Sequence, residues 1–176
     1  MDEKIKALIK RYGVKIHKDG IHLAMSQFVT KNPEDKDYII SHKTEIMDYL
    51  KAEAEAKQKA AEERQAKIAA IEGLDLLEKT INAWAIYHDE FNRFIENDAI
   101  GKPPVKPANT IEEVKSLYPR AAAYVKADVF YSAEHYAKSS AGKKALDSII
   151  NGNDYNKAIF DMEKEWSEYC EAHIWD

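Results

Sequence analysis

From Ala52 to Lys67 the chain is written almost wholly in Ala, Glu, Lys, Gln and Arg, with no large apolar side chain. These are the strongest helix formers, so a helix is expected there. With no apolar stripe, that helix has nothing large to bury against a core. Glu53–Lys57, Glu55–Lys59 and Glu63–Lys67 are spaced i, i+4 with the acid first, the favourable order. The stretch reads as a solvated connecting helix about 24 Å long. It divides the chain into an N-terminal module over 1–51, a charged connector over 52–73 and a C-terminal part over 74–176.

In the first part, Glu3 to Arg11 sets Ile5, Leu8 and Ile9 on one helical stripe, and Gly13 suits a left-handed helix end. Val14 to Met25 then alternates around Asp19-Gly20, the strongest short hairpin signal. A two-residue type I′ turn at that pair sets Lys18 against Ile21, His17 against His22, Ile16 against Leu23 and Val14 against Met25. One face is then apolar (Val14, Ile16, Ile21, Leu23, Met25) and the other carries Lys15, His17, His22 and Ala24. Asn32-Pro33-Glu34-Asp35 reads as a capped helix start, running to about Ile40. Thr44 opens another helix with Ile46, Met47 and Leu50 inward. Helix, Gly13-Val14, hairpin, Leu23 and then His42-Lys43-x-Glu45-Ile46-x-x-x-Leu50 together resemble the TubC N-terminal docking domain over residues 1–51. The resemblance implies a small α/β fold that joins megasynthase subunits, with a partner's C-terminal tail lying along the exposed hairpin.

Beyond the connector, Ile68, Ile71, Leu74, Leu77, Ile81, Trp84, His88, Phe91 and Ile95 recur at three- and four-residue steps. This seam approaches coiled-coil spacing, with Gly73 a point of kinking. It either packs on the C-terminal helices or pairs with a second copy through residues 74–95. The prolines in 100–109 exclude helix. Thr110-x-x-Glu113 is a capping box. Pro119 starts a helix with Ala122, Val125 and Val129 inward. Ser139 or Ser140 caps the next, and Asp154 the last, whose stripe is Ile159, Met162, Trp166 and Tyr169. The expected class is mainly α: a small helix–β-hairpin–helix module, a long charged helix and a helical bundle. The layout, with Leu117-Tyr118-Pro119-Arg120-Ala121-Ala122-Ala123-Tyr124, also resembles uncharacterised bacteriophage and prophage accessory proteins. That resemblance implies binding and disabling a host defence complex, in the manner of anti-CRISPR proteins.

Chemistry-bearing patterns are sparse. Cys170 is the single cysteine, which excludes a disulfide within one chain and suits a reducing, cytoplasmic setting. No run approaches the roughly 20 apolar residues of a membrane span. His17 and His22 are cross-strand neighbours, but no Cys or nearby acid completes a ligand set, and His42, His88, His135 and His173 are scattered. Cys170 with His173 at i+3 sits among Glu163, Glu165, Glu168 and Glu171, which disfavour a thiolate. Catalysis, metal and cofactor are therefore not expected. Two binding surfaces are. Residues 115–144 hold six basic and two acidic residues. There Arg120, Lys126, Lys138, Lys143 and Lys144 interleave with Tyr118, Tyr124, Tyr131 and Tyr136. This pattern suits a protein hot spot or single-stranded nucleic acid, or else rings in a core beneath solvated lysines. The hairpin is the second surface: its free strand edges invite a third strand, with Lys15, His17 and His22 on its open face to meet an acidic tail and Ile21 as a further partner-binding residue. The expected function is a non-enzymatic protein-binding protein, with nucleic-acid binding through 115–144 as the alternative.

Overall fold

A computed structural model of the chain describes residues 2–134 and 140–172. It resolves into two compact units, Met1–Glu63 and Arg64–Asp176. Among the described residues the elements are α1 (Glu3–Tyr12), β1 (Lys15–Ile16), β2 (Leu23–Ala24), a short 3-10 helix (Gln27–Lys31) and α2 (Pro33–Ser41). Then come α3 (Lys43–Ala69), α4 (Leu74–Glu96), α5 (Ile111–Leu117), α6 (Pro119–Glu134), α7 (Ala141–Ile150) and α8 (Tyr155–Ala172). The protein is mainly α with a small α/β element at its N-terminus.

In the first unit, Asp2 caps α1 by accepting the Lys4 N–H at 3.1 Å. Gly13 ends the helix at φ 58°, and the Val14 N–H returns to the Ile9 carbonyl at 3.0 Å. Only a residue without Cβ enters that region cheaply. Ile5, Leu8, Tyr12, Val14, Ile39 and Ile46 form the buried centre. Tyr12 is buried yet keeps its hydroxyl paired: it donates to Asp35 Oδ2 at 2.6 Å and accepts from Asn32 Nδ2 at 3.0 Å. The Asn32 side chain, expected to cap α2, is thus spent on Tyr12. No side-chain cap is made to α2, which starts on Pro33 with Glu34 and Asp35 in its first turn.

The hairpin register is the expected one, Lys15 opposite Ala24 and Ile16 opposite Leu23. Its turn is not. The Gly20 N–H bonds the His17 carbonyl at 2.9 Å and the His17 N–H bonds the His22 carbonyl at 2.7 Å, closing a four-residue loop over 18–21. A type I′ turn would put both Asp19 and Gly20 at positive φ, and a left-handed non-glycine residue costs roughly 1–2 kcal/mol. Here Gly20 alone takes it, at φ 71°. Ile21, expected on the apolar face, is lifted out and stands 63% exposed.

Between α3 and α4 the chain breaks at Gly73, φ 76°, so the stretch over 43–96 is two helices. The Tyr118 ring lies directly on Gly73: a Cβ there would come 2.0 Å from Tyr118 Cγ. Lys67, expected to pair with Glu63, instead donates to Asn151 Oδ1 at 2.8 Å. Arg64 pairs with Asp147, so the end of α3 is anchored on α7 and the turn after it. In α4, Leu74, Leu77 and Thr80 are buried, but Ile86 (51%), Phe91 (38%) and Ile95 (55%) are exposed. The seam therefore packs inside the unit only over its first half. After α4 the extended segment returns to the helix: the Trp84 indole N–H donates to the Asn109 carbonyl at 2.8 Å, and Lys106 Nζ lies 5.4 Å from the Trp84 ring centre. The capping box then forms in full, with Thr110 N–H to Glu113 Oε2 at 2.8 Å and Glu113 N–H to Thr110 Oγ1 at 3.2 Å.

Of the residues expected inward on α6, Ala122 and Val125 are half-buried against the bundle core and Val129 is not. Ala121, Ala123 and Ala127 are buried, while Val129 is 65% exposed. The reason is close approach: a Cβ on Gly142 of α7 would meet the backbone Cα and N of Tyr131 in α6 at 2.8 Å. Only small side chains fit between helices this near, so α6 turns its alanines in. Gly142→Ala gains up to about 1 kcal/mol of helix propensity but drives a methyl into backbone, an overpacking cost of about 1–3 kcal/mol. A net loss of stability is expected in urea unfolding. A gain would show that α6 and α7 separate freely.

Candidate protein-binding surfaces

At the hairpin tip Asp19 lies between the two histidines, an acid the sequence reading did not bring there. Its Oδ2 is 2.6 Å from His22 Nδ1 and 3.1 Å from His17 Nδ1. Its Oδ1 accepts the Ile21 and His22 N–H groups at 2.9 and 3.0 Å. The His22 contact first, and then these two N–H groups, hold its carboxyl well below the usual carboxylate range. Among the described residues no group of side chains is arranged to hold a metal ion. The His17 N–H donates to the His22 carbonyl while the His22 N–H is taken by Asp19; Ile16 and Leu23 are then the alternate pair, whose N–H and C=O groups point away from each other toward the strand edges. Lys15, His17, Ile21 and His22 are all exposed, so the four expected binding residues do share this ribbon.

A carboxyl depressed in the fold stabilises it above the unfolded carboxylate pKa and loses that contribution as pH falls through the folded value. Protection of the His17 amide from exchange should therefore hold at neutral pH and fall on acidification below about pH 4. In Asp19→Asn that step should be missing and protection lower throughout. Identical profiles for both proteins would remove Asp19 as the organiser of the turn.

The basic, tyrosine-rich run is largely absorbed by the fold. Arg120 Nη2 donates to the Ile149 carbonyl at 2.6 Å, a cation at the C-terminal end of α7, and its buried Nε has no hydrogen-bond partner. Tyr118 covers Gly73. Tyr124 is half-buried, and burial pushes its hydroxyl pKa up. Lys126 pairs with Glu163, and Lys144 Nζ reaches Glu165 Oε2 at 2.8 Å. Tyr131 and Lys143 are exposed. Lys138 and Tyr136, like His135, Ser139 and His173, lie outside the described residues. Arg120→Met should lose about 2 kcal/mol, the scale of a hydrogen bond from a charged group. Lys143→Met should change stability by less than about 0.5 kcal/mol. Chemical denaturation checks both; equal effects would deny Arg120 its structural role.

The feature missed in the sequence is a groove along α6. It is lined by Pro119, Ala122, Ala123, Val125 and Val129 of α6 and by Tyr155 and Ile159 of α8, with Lys115 of α5 and Lys126; Pro119 and Val129 are exposed, while Ala122 and Val125 are half-buried. The groove encloses about 690 Å³, within the range of ligand and peptide sites. Phe160, next in α8, is 65% exposed. The available signal was that apolar residues surround α6 too widely for one buried stripe.

No helix among the described residues is long and apolar enough to cross a membrane. The chain matches no family model, no curated protein and no solved structure.

Proposed function

We propose that the protein is a non-enzymatic binding protein that seats a segment of a protein partner in the groove between α6 and α8. The observation behind this is the uneven burial along α6: Val129 stands 65% exposed at the groove while Ala121, Ala123 and Ala127 are 0–7% exposed. Fully burying a valine or phenylalanine is worth about 1.5–3 kcal/mol. The fold leaves that gain unused along a groove several residues long, and a partner recovers it. The reading keeps the protein-binding class expected from the sequence and moves its site from the tyrosine–lysine run to the groove. Nucleic-acid binding by the run would first require Lys126 and Lys144 to leave Glu163 and Glu165.

A second reading, self-association through α4, is favoured by the exposure of Ile86, Phe91 and Ile95 on its outer half. It predicts a concentration-dependent dimer that Phe91→Glu dissolves.

A photo-crosslinking residue placed at Val129 is expected to capture a protein partner in cells, whereas one at Lys79, exposed on α4, is not. Val129→Asp should leave the unfolding midpoint nearly unchanged, since the site is exposed, and abolish that partner's co-purification. Co-purification undiminished in Val129→Asp would remove the groove as the site.

A further inference from the structure

We infer that the groove takes an acidic amphipathic helix, about three turns long, from a protein partner. This rests on the groove being the binding site and adds the chemistry of its occupant. Of the α6 residues lining it, Pro119, Ala122, Val125 and Val129 recur at three- and four-residue steps on one helical face. With Phe130 they run about 16 Å along the helix axis. Tyr155 and Ile159, four apart on α8, form the opposite wall. Two helical walls flanking an apolar floor accept the side-chain ridge of a third helix, which presents anchors at i, i+3 or i+4, and i+7.

Charge selects among helices. The charged residues lining the groove are Lys115 and Lys126, with no carboxylate among the lining residues. Lys126 already meets Glu163, which tempers its charge. Lys115 lies in the last turn of α5, beside the start of α6, where the first turn of α6 carries no acidic residue to offset the positive helix end. Asp154, nearby in sequence to Tyr155, is engaged in capping α8 through the Asn156 and Lys157 N–H groups at 2.9 and 3.2 Å. From the start of α6 to Lys126 is about 10 Å along the axis. A carboxylate pair seven residues apart on the incoming helix matches that separation, and a basic helix would meet like charge there.

The test uses the full chain and two fluorescent peptides of about 15 residues, long enough to form the required turns. Both carry leucines at i, i+3, i+7 and i+10; one has glutamates on the flanking positions and the other lysines. The acidic peptide should bind more tightly by at least about tenfold in anisotropy titrations, with affinity falling as salt rises. Lys115→Glu should narrow or reverse that preference, and Val129→Asp should abolish binding of either peptide. Equal or tighter binding of the basic peptide, still lost in Val129→Asp, would overturn the acidic occupant and leave the groove standing. Binding of neither peptide would overturn it as well, and an absence of any crosslinked partner at Val129 would then remove the groove reading too. Self-association abolished by Val129→Asp would assign the groove to a second copy and equally overturn the inference.

Discussion

The near contact between α6 and α7 sets the form of the whole C-terminal unit. Where Gly142 meets the Tyr131 backbone there is no room even for a methyl group. Dispersion contacts at this range are numerous, and packing without voids favours small side chains that let backbones close. α6 therefore places Ala121, Ala123 and Ala127 inward and Val125 half-buried against the core, and leaves Val129 exposed. α8 completes the core with Met162 and Ala158, 2% and 7% exposed. The groove follows from this placement and needs no separate cause.

The electrostatics of the unit are likewise decided across helices. The net positive charge of residues 115–144 is a property of the sequence segment and not of one surface. Lys126 and Lys144 lie opposite Glu163 and Glu165 of α8, and Arg120 satisfies a carbonyl at the end of α7. Exposed ion pairs of this kind contribute little to stability, but they blunt the potential that a phosphate backbone would meet. Lys115 stands apart from these pairs at the groove's margin, which makes the groove the place where basic charge and apolar area coincide.

What was readable in the sequence follows a physical division. Features governed by neighbours within a few residues were legible: the capping box at Thr110 and Glu113, the Asp154 cap, the Gly13 helix end, the strand register and the helical connector. Features governed by distant groups were not. The Asn32 amide bonds Tyr12 rather than its own helix, because a buried hydroxyl competes for it. Asp19 avoids the left-handed conformation because its carboxylate gains two backbone donors and two imidazoles in the wider loop. The exposure of Val129 could not be read from hydrophobicity, since valine ranks above alanine on any such measure while a close helix–helix approach favours the smaller side chain. The groove inherited that error and so went unseen, although each of its residues was in plain view.

Trp84 has a further consequence. Its indole N–H is held by the Asn109 carbonyl and the Lys106 ammonium sits near its ring, so the returning segment controls its polar surroundings. Trp166, in contrast, stacks on Tyr169 and meets Phe130 edge-on within the bundle. The two indoles thus report on different parts of the same unit. Detachment of the 100–109 segment would shift the emission of Trp84 while leaving Trp166 in place, so with the third tryptophan, Trp175, replaced by phenylalanine, ultraviolet fluorescence distinguishes loosening of that segment from melting of the core without any added dye.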